Sequence, residues 1–387
     1  MKKITSLFLS VIITASIAMT ACAKAADTGS DNREMRSEMT SAQFADEMGM
    51  GINLGNTMEA YWLAETRACS GASVIGENRP VNYETCWGAV PTTQECITGM
   101  KNAGFDTVRI PVYWGNKMAE DGSFTINEYW FARVDEIIEY CRSEGLYVVI
   151  NVHHYDEFII KHYSKDEALK IMQKIWKQIA EHYKNFSDYL IFEGYNENLG
   201  TVREGDDFTD DEKFEYVNEM NQVFVDTVRK TGGNNKNRML IVSGYWTNID
   251  LTTDSRFVIP EDKTPDRIMV SVHYIDNAMY WTNKIGGKEW LDYSRAQCEL
   301  LKNAFTDKGI QVFVGECTSI YSDDRFAANA VHTDSTECLE IMYDMMAEYG
   351  FIPVLWDVNN NFYSRIKGEI ISESDRALIK KLKENSK

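Results

Sequence analysis

From residue 40 onward, short apolar runs alternate with longer stretches in which apolar residues recur every three or four positions. Continuous apolar runs are typical of strands buried on both faces, and the longer period is typical of amphipathic helices. Eight runs predict strands, at residues 50–54, 107–112, 147–152, 189–194, 239–242, 268–272, 311–314 and 351–355. Helical periodicity lies between them, for example at 128–141 and 166–183, and again at 374–382.

Strands that alternate with helices indicate a parallel sheet, and eight such units are the number that closes the sheet into a barrel. We therefore predict the α/β fold class and a (β/α)8 TIM barrel. No linker interrupts the alternation, so residues 40–387 are expected to form a single domain. The glycines of residues 49–55 lie around and within the first strand, which disfavours a dinucleotide-binding fold.

The first 39 residues have a different composition. Two lysines precede an apolar run at 7–18, which is the layout of an export signal over residues 1–22. Met19-Thr20-Ala21-Cys22 resembles a bacterial lipobox, so Cys22 is a candidate lipid-attachment site; ordinary signal peptidase cleavage without a lipid is the alternative. Residues 23–39 lack an apolar period and predict a flexible tether. We expect a bacterial protein that is extracellular or anchored at the cell surface.

Charge narrows the range of partners. The sequence has 40 Lys and Arg against 59 Asp and Glu, a net charge of −19, and no basic cluster that could follow a phosphate backbone. We therefore expect no nucleic-acid partner, whereas a neutral polymer would meet no electrostatic penalty at this surface. We also expect a monomer.

Eight cysteines are present, without the CxxC spacing of a zinc site. Cys69 and Cys86 could form a loop disulfide in an oxidising compartment. Cys141 and Cys317 are better explained as small buried apolar residues. The sequence leaves the disulfide pairing open.

Polar residues collect where the predicted strands end. In a barrel of this type, function lies at the carboxyl ends of the strands, so the residues there are the candidates for chemistry. In chain order they are Asn53, Arg109, His153, His154, Asn196, Glu197, His273, Tyr274, Glu316 and Trp356. The amino ends of the strands carry no matching set, which places the candidate site at one mouth of the barrel.

Two of these residues are carboxylates from strands that face each other across the mouth. Glu197 follows the fourth strand and Glu316 the seventh, which is the arrangement that cleavage of a glycosidic bond requires. In this interpretation Glu197 protonates the departing sugar oxygen and Glu316 attacks the anomeric carbon. We expect Arg109 and Tyr274 to keep Glu316 ionised. We expect the negative charge of Glu316 to raise the pKa of Glu197.

The histidines raise the alternative of a metal-dependent hydrolase. His153, His154 and His273 could offer ring nitrogens, but the alternating His-x-His pattern of many metal sites is absent. Adjacent residues of a strand point to opposite faces, so His153 and His154 are not expected to bind one ion. We predict that the chain uses no metal and no cofactor.

Tryptophans near the strand ends could stack on the apolar faces of sugar rings. They are Trp62, Trp114, Trp246, Trp281 and Trp356. Core packing explains the first four equally well, whereas Trp356 directly ends the last predicted strand and is the strongest candidate.

With these residues identified, the chain resembles glycoside hydrolase family five, the cellulase family, from about residue 40 to residue 384. The resemblance is carried by GINLGNT at 51–57, ETCWG at 84–88 with PTT at 91–93, GFDTVRIPV at 104–112, IFEGYNE at 191–197, VHY at 272–274 and VFVGE at 312–316. The second of these motifs is similar to that of endoglucanases that often also accept xyloglucan.

The resemblance implies a role for each candidate. It implies that Glu197 is the general acid/base and Glu316 the nucleophile of a retaining mechanism. It also implies that Arg109 supports the nucleophile and that Asn196 binds the 2-hydroxyl of the sugar next to the cleaved bond. The other candidates support or bind the sugar, with Trp356 as the platform of subsite minus one: Asn53, His153, His154, His273, Tyr274 and Trp356.

The chain departs from the family pattern at two places, neither of them a catalytic side chain, and the second, which lies where sugars bind, bears on substrate preference. Asn198 follows the acid/base position, where the family usually has proline. Residues 355–360 read Leu-Trp-Asp-Val-Asn-Asn, where related endoglucanases more often have two tryptophans and then Asp-Asn-Gly.

We therefore predict an endo-β-1,4-glucanase that acts by double displacement on cellulose, mixed-linkage glucan or xyloglucan. A β-mannanase or a xyloglucan-specific hydrolase on the same fold is the alternative among enzymes. A non-catalytic carbohydrate-binding lipoprotein is the alternative from another class, although such a protein could dispense with one of the two glutamates. The sequence leaves open which β-glucan is preferred and whether branched backbones are accepted.

Overall fold

The computed structural model describes residues 35–61, 79–119, 121–200, 208–318, 320, 322–358 and 361–385. Eight parallel strands close into one barrel, in which each strand pairs with the next along the chain and the last pairs with the first. The strands are β1 Gly51–Asn53, β2 Thr107–Ile110, β3 Tyr147–Asn151, β4 Leu190–Glu193, β5 Leu240–Ser243, β6 Ile268–His273, β7 Val312–Thr318 and β8 Ile352–Trp356. All eight predicted strands are confirmed. The largest difference is at β7, which continues to Thr318 instead of ending at residue 314.

Helices precede, connect and follow the strands. They are α1 Ser41–Met48, α2 Pro80–Glu84, α3 Gln94–Ala103, α4 Glu128–Ser143, α5 Tyr155–His162, α6 Lys165–His182, α7 Asp210–Thr231, α8 Ile249–Thr252, α9 Asn277–Trp281, α10 Lys288–Ala304, α11 Ser335–Glu348 and α12 Glu373–Asn385. The short strands β9 Tyr363–Ser364 and β10 Glu369–Ile370 form an antiparallel pair after β8. The three stretches of helical periodicity correspond to α4, α6 and α12.

Helix α6 forms where the sequence supplies both a cap and an apolar stripe. At the start of α6, Ser164 and Glu167 form a capping box, in which the carboxylate also accepts the backbone N–H of Ser164 at 3.2 Å. Buried residues of α6 then recur at intervals of three and four: Ala168, Ile171, Met172, Ile175, Trp176, Ile179 and Ala180. One face of the helix therefore packs against the barrel.

The barrel strands bury side chains on both faces. Outward residues such as Val108, Ile150 and Phe192 belong to the large core that lies between the strands and the helices. Inward residues of the lower half form a second apolar group, which we call the base cluster: Tyr147, Val149, Ile191, Met239, Ile241, Met269, Phe313, Ile352 and Val354. Because both faces are buried, the strands read in sequence as continuous apolar runs.

A segment before β1 covers the base of the barrel. Phe44 and Met48 of α1 pack with the base cluster. The Nε of Arg36 donates to Oδ2 of Asp188 at 2.7 Å. Residues 36–39 lie within the predicted tether but contact the barrel, so the folded domain begins before residue 40.

The predicted export signal and Cys22 lie outside the described residues. Within the part of the chain that the structure covers, no helix combines the length and the apolar composition needed to cross a bilayer. Cys69 also lies outside it, so its pairing with Cys86 stays a prediction. Cys141 and Cys317 are buried, as expected.

Candidate active site

A ring of mostly polar residues lies inside the barrel near the carboxyl ends of the strands. On β3 to β8 these residues stand two positions beyond members of the base cluster, so they share its inward face. We call the following set the upper ring: Asn53, Arg109, Asn151, Glu193, Ser243, Ser271, Gly315 and Trp356. The six polar members are buried, so each of them requires hydrogen-bond partners.

Arg109 connects the largest number of groups in this region. Its Nε donates to Oε2 of Glu193 at 2.7 Å, and its Nη1 donates to Oδ1 of Asn53 at 2.9 Å and to Oε1 of Glu316 at 3.2 Å. Its Nη2 donates to Oδ1 of Asn196 at 2.8 Å. Burial opposes the charge of Arg109, but the carboxylates of Glu193 and Glu316 outweigh it and hold the pKa of Arg109 above its ordinary value.

Glu193 is a member of this network to which the sequence analysis assigned no role. Besides Arg109, it accepts a hydrogen bond from Nδ2 of Asn151 at 2.9 Å and one from the hydroxyl of Ser271 at 2.9 Å. Its buried charge is therefore matched by one guanidinium and two neutral donors. The signal that could have found it is positional, because Glu193 stands two residues after the inward-facing Ile191 of the same strand.

Asn53 holds Arg109 from another direction. Its Nδ2 donates to the carbonyl oxygens of Gly315 at 2.9 Å and Leu355 at 3.2 Å, which ties β1 to β7 and β8. Asn53 and Arg109 are both buried beneath the mouth. These two predicted site residues position other side chains and do not line the open cleft.

The end of β7 is irregular, and this irregularity presents Glu316 to the mouth. The register shifts against β6 between Val272 and His273, and against β8 between Val314 and Cys317. Bulges of this kind re-aim the side chains that follow them.

Tyr274 binds Glu316 twice. Its backbone N–H donates to the carbonyl oxygen of Glu316 at 2.8 Å, and its hydroxyl donates to Oε2 at 2.7 Å. Oε1 of the same carboxylate faces Arg109. Both oxygens thus accept hydrogen bonds from the two residues that we expected to keep Glu316 ionised.

Glu197 lies beyond the end of β4 and reaches the same point. Its Oε1 is 3.1 Å from Nδ1 of His273, and that nitrogen is 3.6 Å from Oε2 of Glu316. One ligand atom of each of the three residues lies within 4.8 Å of the others. Retaining glycosidases hold their two carboxyl groups about 5 to 5.5 Å apart, whereas inverting enzymes leave room for a water molecule between them.

The direction of the pKa shift of Glu197 differs from our prediction. Burial raises the pKa of this carboxyl. The hydrogen bond and charge of His273, together with the charges of His154 and Arg109, lower the pKa by more than burial raises it. The net result is a pKa below the ordinary value. The prediction of a raised pKa was wrong because it considered the charge of Glu316 and omitted the nearer His273.

A cleft of about 630 Å³ opens above the two glutamates. Three tryptophans, Trp246, Trp281 and Trp356, form part of its walls. Trp281 is 57% exposed. Further polar residues, from the segments that follow β5 and β6, line the cleft and were not predicted from the sequence: Thr247, Asn248, Asn277 and Thr282.

Trp114 does not belong to these walls. Its side chain is buried, and its Nε1 donates to the carbonyl oxygen of Asn151 at 2.8 Å. It is a core residue, so of the two interpretations that the sequence left open for Trp114, core packing is the one that the structure supports. Trp62 lies outside the described residues.

His153 and His154 both line the cleft, which the argument from strand alternation did not predict. β3 ends at Asn151, so His153 and His154 lie beyond the strand. His154 has a positive φ of 60°, and the bend at this residue lets both side chains face the cleft. Burial and the charges of His154 and Arg109 hold the pKa of His153 well below its ordinary value. At His154 the hydrogen bond and charge of Glu157 outweigh burial and raise the pKa.

Glu197, His273 and Glu316 are also the one group among the described residues whose ligand atoms could converge on a metal ion. His153 and His154 are not part of that group. Both glutamates already accept hydrogen bonds from protein donors, and the cationic Arg109 lies 3.2 Å from Glu316. A divalent cation at this point would meet electrostatic repulsion from the guanidinium.

Comparison with known proteins gives a consistent result. The family model of cellulase, glycosyl hydrolase family 5, matches residues 74–362. Endoglucanase A of Clostridium longisporum is 33% identical over 350 residues, which covers 88% of this chain and 63% of the relative. Endoglucanase A of Paenibacillus barcinonensis is 34% identical over 361 residues, which covers 84% of each protein. The chain thus spans just under two thirds of the Clostridium relative.

Solved structures show the same likeness. A Bacteroides ovatus GH5 xyloglucanase in complex with a XXXG heptasaccharide superposes with a TM-score of 0.76 at 27% identity, covering 92% of this chain and 80% of that chain. A GH5-4 broad specificity endoglucanase from Clostridium longisporum gives a TM-score of 0.76 at 28% identity, covering 90% of this chain and 99% of its own.

Proposed function

The chain belongs to glycosyl hydrolase family 5, the cellulase family, and we propose that it is an endo-β-1,4-glucanase that retains the configuration of the anomeric carbon. The observation that carries this proposal is the distance between Glu197 and Glu316, whose nearest oxygens lie within 4.8 Å of each other. That separation matches direct attack by one carboxylate on the sugar.

Glu316 acts as the nucleophile. Its oxygens are oriented by Arg109 and Tyr274, which stabilise the charged form that attacks the anomeric carbon. As the new C1–O bond forms, the glycosidic bond breaks and Glu197 donates its proton to the leaving oxygen. In the second step Glu197 accepts a proton from water, the water oxygen attacks C1, and Glu316 leaves.

Glu197 must be protonated in the first step, and its neighbours lower its pKa. A sugar that fills the cleft excludes water from this carboxyl and penalises its charged form, which raises the pKa toward the value that a general acid needs. Asn196 presents its amide to the same sugar. Because its Oδ1 accepts from Arg109, its Nδ2 remains as the donor toward the 2-hydroxyl.

The proposed substrates are cellulose, mixed-linkage glucan and xyloglucan. Relatives named as endoglucanases support the β-1,4-glucan backbone. Xyloglucan is supported by a further relative, a xyloglucan-specific endo-β-1,4-glucanase of Bacteroides ovatus that is 34% identical over 249 residues. The open cleft with Trp246, Trp281 and Trp356 in its walls is suited to stacking against an extended chain of sugar rings.

The test is product analysis on carboxymethyl cellulose, barley β-glucan, xyloglucan and mannan, with proton NMR of the anomer released first. Cleavage of glucan with the β-anomer first is expected. Preferential cleavage of mannan would identify a β-mannanase with the same catalytic pair. Binding of glucan without cleavage would instead support the non-catalytic carbohydrate-binding lipoprotein.

We also propose that the protein acts as a monomer outside the cytoplasm, exported by residues 1–22 and tethered through a lipid on Cys22. The segment around Arg36 contacts the base of the barrel, so such a tether would leave the cleft at the opposite end accessible. Labelling with a radioactive fatty acid is expected to mark the protein but not a Cys22→Ala variant. An unlabelled, freely secreted wild-type protein would contradict the lipid anchor.

A further inference from the structure

The turn that follows Glu197 is joined to the turn that follows β5. Asn198 is completely buried. Its Nδ2 donates to Oγ of Ser243 at 3.0 Å and lies 3.4 Å from the carbonyl oxygen of the same residue, the last of β5. Its own carbonyl oxygen accepts the backbone N–H of Trp246 at 2.7 Å. Asn198 therefore contacts the β5 turn at both its start and its tryptophan.

The β5 turn needs such support because its backbone is strained. Trp246 has φ 57° and Thr247 has φ 46°, both in the left-handed region that residues with a Cβ rarely adopt. Conformations of this kind persist only where surrounding contacts fix them. The indole of Trp246 lies against Gly200, where a Cβ would collide with the ring.

Trp246 occupies a defined side of the cleft. It follows β5, which neighbours β4, the strand that Glu197 follows. Trp356 ends β8, which stands opposite β4 in the eight-strand order. Glu316 is on β7 and Trp356 ends the neighbouring β8, and both line the cleft, so the sugar attacked by Glu316 lies on the side of Trp356. The departing sugar, which Glu197 protonates, must extend the other way. The indole of Trp246 therefore borders the path of the leaving-group part of the chain.

Resting on the proposed glucanase function, we propose that Asn198 is a positioning residue that fixes Trp246 as a platform for the leaving-group sugars. A proline at this position would keep the carbonyl acceptor but would have no side-chain donor for Ser243. The side chain of Asn198 thus adds a link between β4 and β5 that proline cannot make. Loss of this link should weaken binding of the polymer more than it slows cleavage of the bond.

The experiment compares Asn198→Ala, Trp246→Ala and the double variant on two substrates. Cellohexaose extends to the leaving-group side, whereas a nitrophenyl β-cellobioside places only its nitrophenyl group there. With Asn198→Ala, KM for cellohexaose is expected to rise roughly 5- to 10-fold, as for a lost buried hydrogen bond. The kcat for cellohexaose and the kcat/KM for the nitrophenyl substrate should each change by less than about 2-fold.

The double variant decides whether Asn198 acts through Trp246. If it does, Asn198→Ala adds no further increase in KM once Trp246 is absent. Effects of the two substitutions on KM that multiply in the double variant would overturn the proposal, because Asn198 would then act independently of Trp246. An equal loss of kcat on both substrates would also overturn it, because Asn198 would then act on Glu197. Ser243→Ala removes the hydroxyl acceptor of the amide and leaves the longer contact to the carbonyl oxygen. It should raise KM in the same direction if Asn198→Ala does not fold.

Asn235→Ala is the matched control. Asn235 is also fully buried, and its Nδ2 donates to the carbonyl of Ala180 at 2.7 Å, but it precedes β5 at the base of the barrel. It should lower the melting temperature without changing KM. The same variants are then made in a Glu316→Gln background, and their Kd for cellohexaose is measured by calorimetry. This measurement tests the positioning role without catalysis. Failure of the glucanase proposal would instead appear as a wild-type enzyme that does not cleave glucan.

Discussion

The lower and upper halves of the barrel interior lie on the same strands and differ within two residues. On β4 the inward side chain changes from Ile191 to Glu193, and on β6 it changes from Met269 to Ser271. The base cluster contributes to stability through apolar burial. The upper ring buries polar groups, which is tolerable only because partners surround them. Stability and catalysis are therefore expected to respond to different substitutions.

The largest effect is expected at the mouth. Glu316→Gln keeps an oxygen for Arg109 but removes the nucleophilic carboxylate, so kcat should fall by about 10⁴-fold or more. The free energy of unfolding should change by about 1 kcal/mol or less, since the shape of the side chain is conserved. Initial rates on barley β-glucan and urea unfolding measure the two quantities. Undiminished hydrolysis by this variant would refute the mechanism.

The opposite substitution is made at the base. Phe313→Ala leaves a cavity in the base cluster and should lower the free energy of unfolding by about 3 to 5 kcal/mol. The kcat of the folded protein should stay within about 2-fold. Tyr129→Ala, at a side chain that is 64% exposed, is the control and should be close to neutral in urea unfolding. A large loss of kcat with Phe313→Ala would show that the two halves are not separable.

Glu193→Gln tests the boundary between the halves. It leaves Arg109 with one fewer carboxylate partner, so Arg109 should hold Glu316 less firmly and kcat should fall by roughly 10- to 100-fold. KM should change little because Glu193 does not line the cleft. Glu47→Gln, which removes the charge of an exposed partner of Arg36, is the control and should leave kcat unchanged. Wild-type kcat with Glu193→Gln would assign Glu193 to stability alone.

A buried carboxyl without partners gives a smaller, pH-dependent contrast. Asp156 of α5 is buried, and neither of its oxygens has a hydrogen-bond partner within the described residues. Burial, and then the charge of Glu157, raise the pKa of Asp156 to about 8. Because the pKa of Asp156 is higher in the folded than in the unfolded protein, its protonated carboxyl contributes to stability at low pH. This contribution is lost as the pH rises through about 8.

Asp156→Asn removes that titration. Near pH 4 the variant and the wild type should differ by about 1 kcal/mol or less, and at pH 8 to 9 the variant should be more stable by a few kcal/mol. Melting temperatures across this range measure the difference. Asp344→Asn, at an exposed residue of α11, should show no such trend. A constant difference across the pH range would contradict the raised pKa of Asp156.

The smallest effect is expected from chelation. Because Arg109 already neutralises Glu316, removal of divalent metals with EDTA should leave the rate on β-glucan within about 10% of its initial value. Loss of activity that Zn²⁺ or Mn²⁺ restores would contradict this expectation and assign Glu197, His273 and Glu316 to a metal site.

Local pattern was sufficient for the strands and for the location of the site. Parallel strands buried on both faces appear as apolar runs, so all eight were found, and the polar residues after them converge as expected. The end of β7 was not found, because Glu316, Cys317 and Thr318 interrupt the apolar run and the bulges that accommodate them depend on β6 and β8. Glu193 was not predicted because it lies within the predicted strand at 189–194, whereas Asn196 and Glu197 of the same motif follow that strand.

The sequence by itself determined the barrel and the two glutamates at its mouth, because both follow from periodicity and from where each residue stands relative to a strand. Tertiary structure alone decided which residues touch the cleft. It placed Asn53 and Arg109 beneath the surface, brought His154 to the cleft through a left-handed backbone, and separated the buried Trp114 from Trp246. It also reversed the expected pKa shift of Glu197, since that shift depends on His273, 76 residues away along the chain and 3.1 Å away in space.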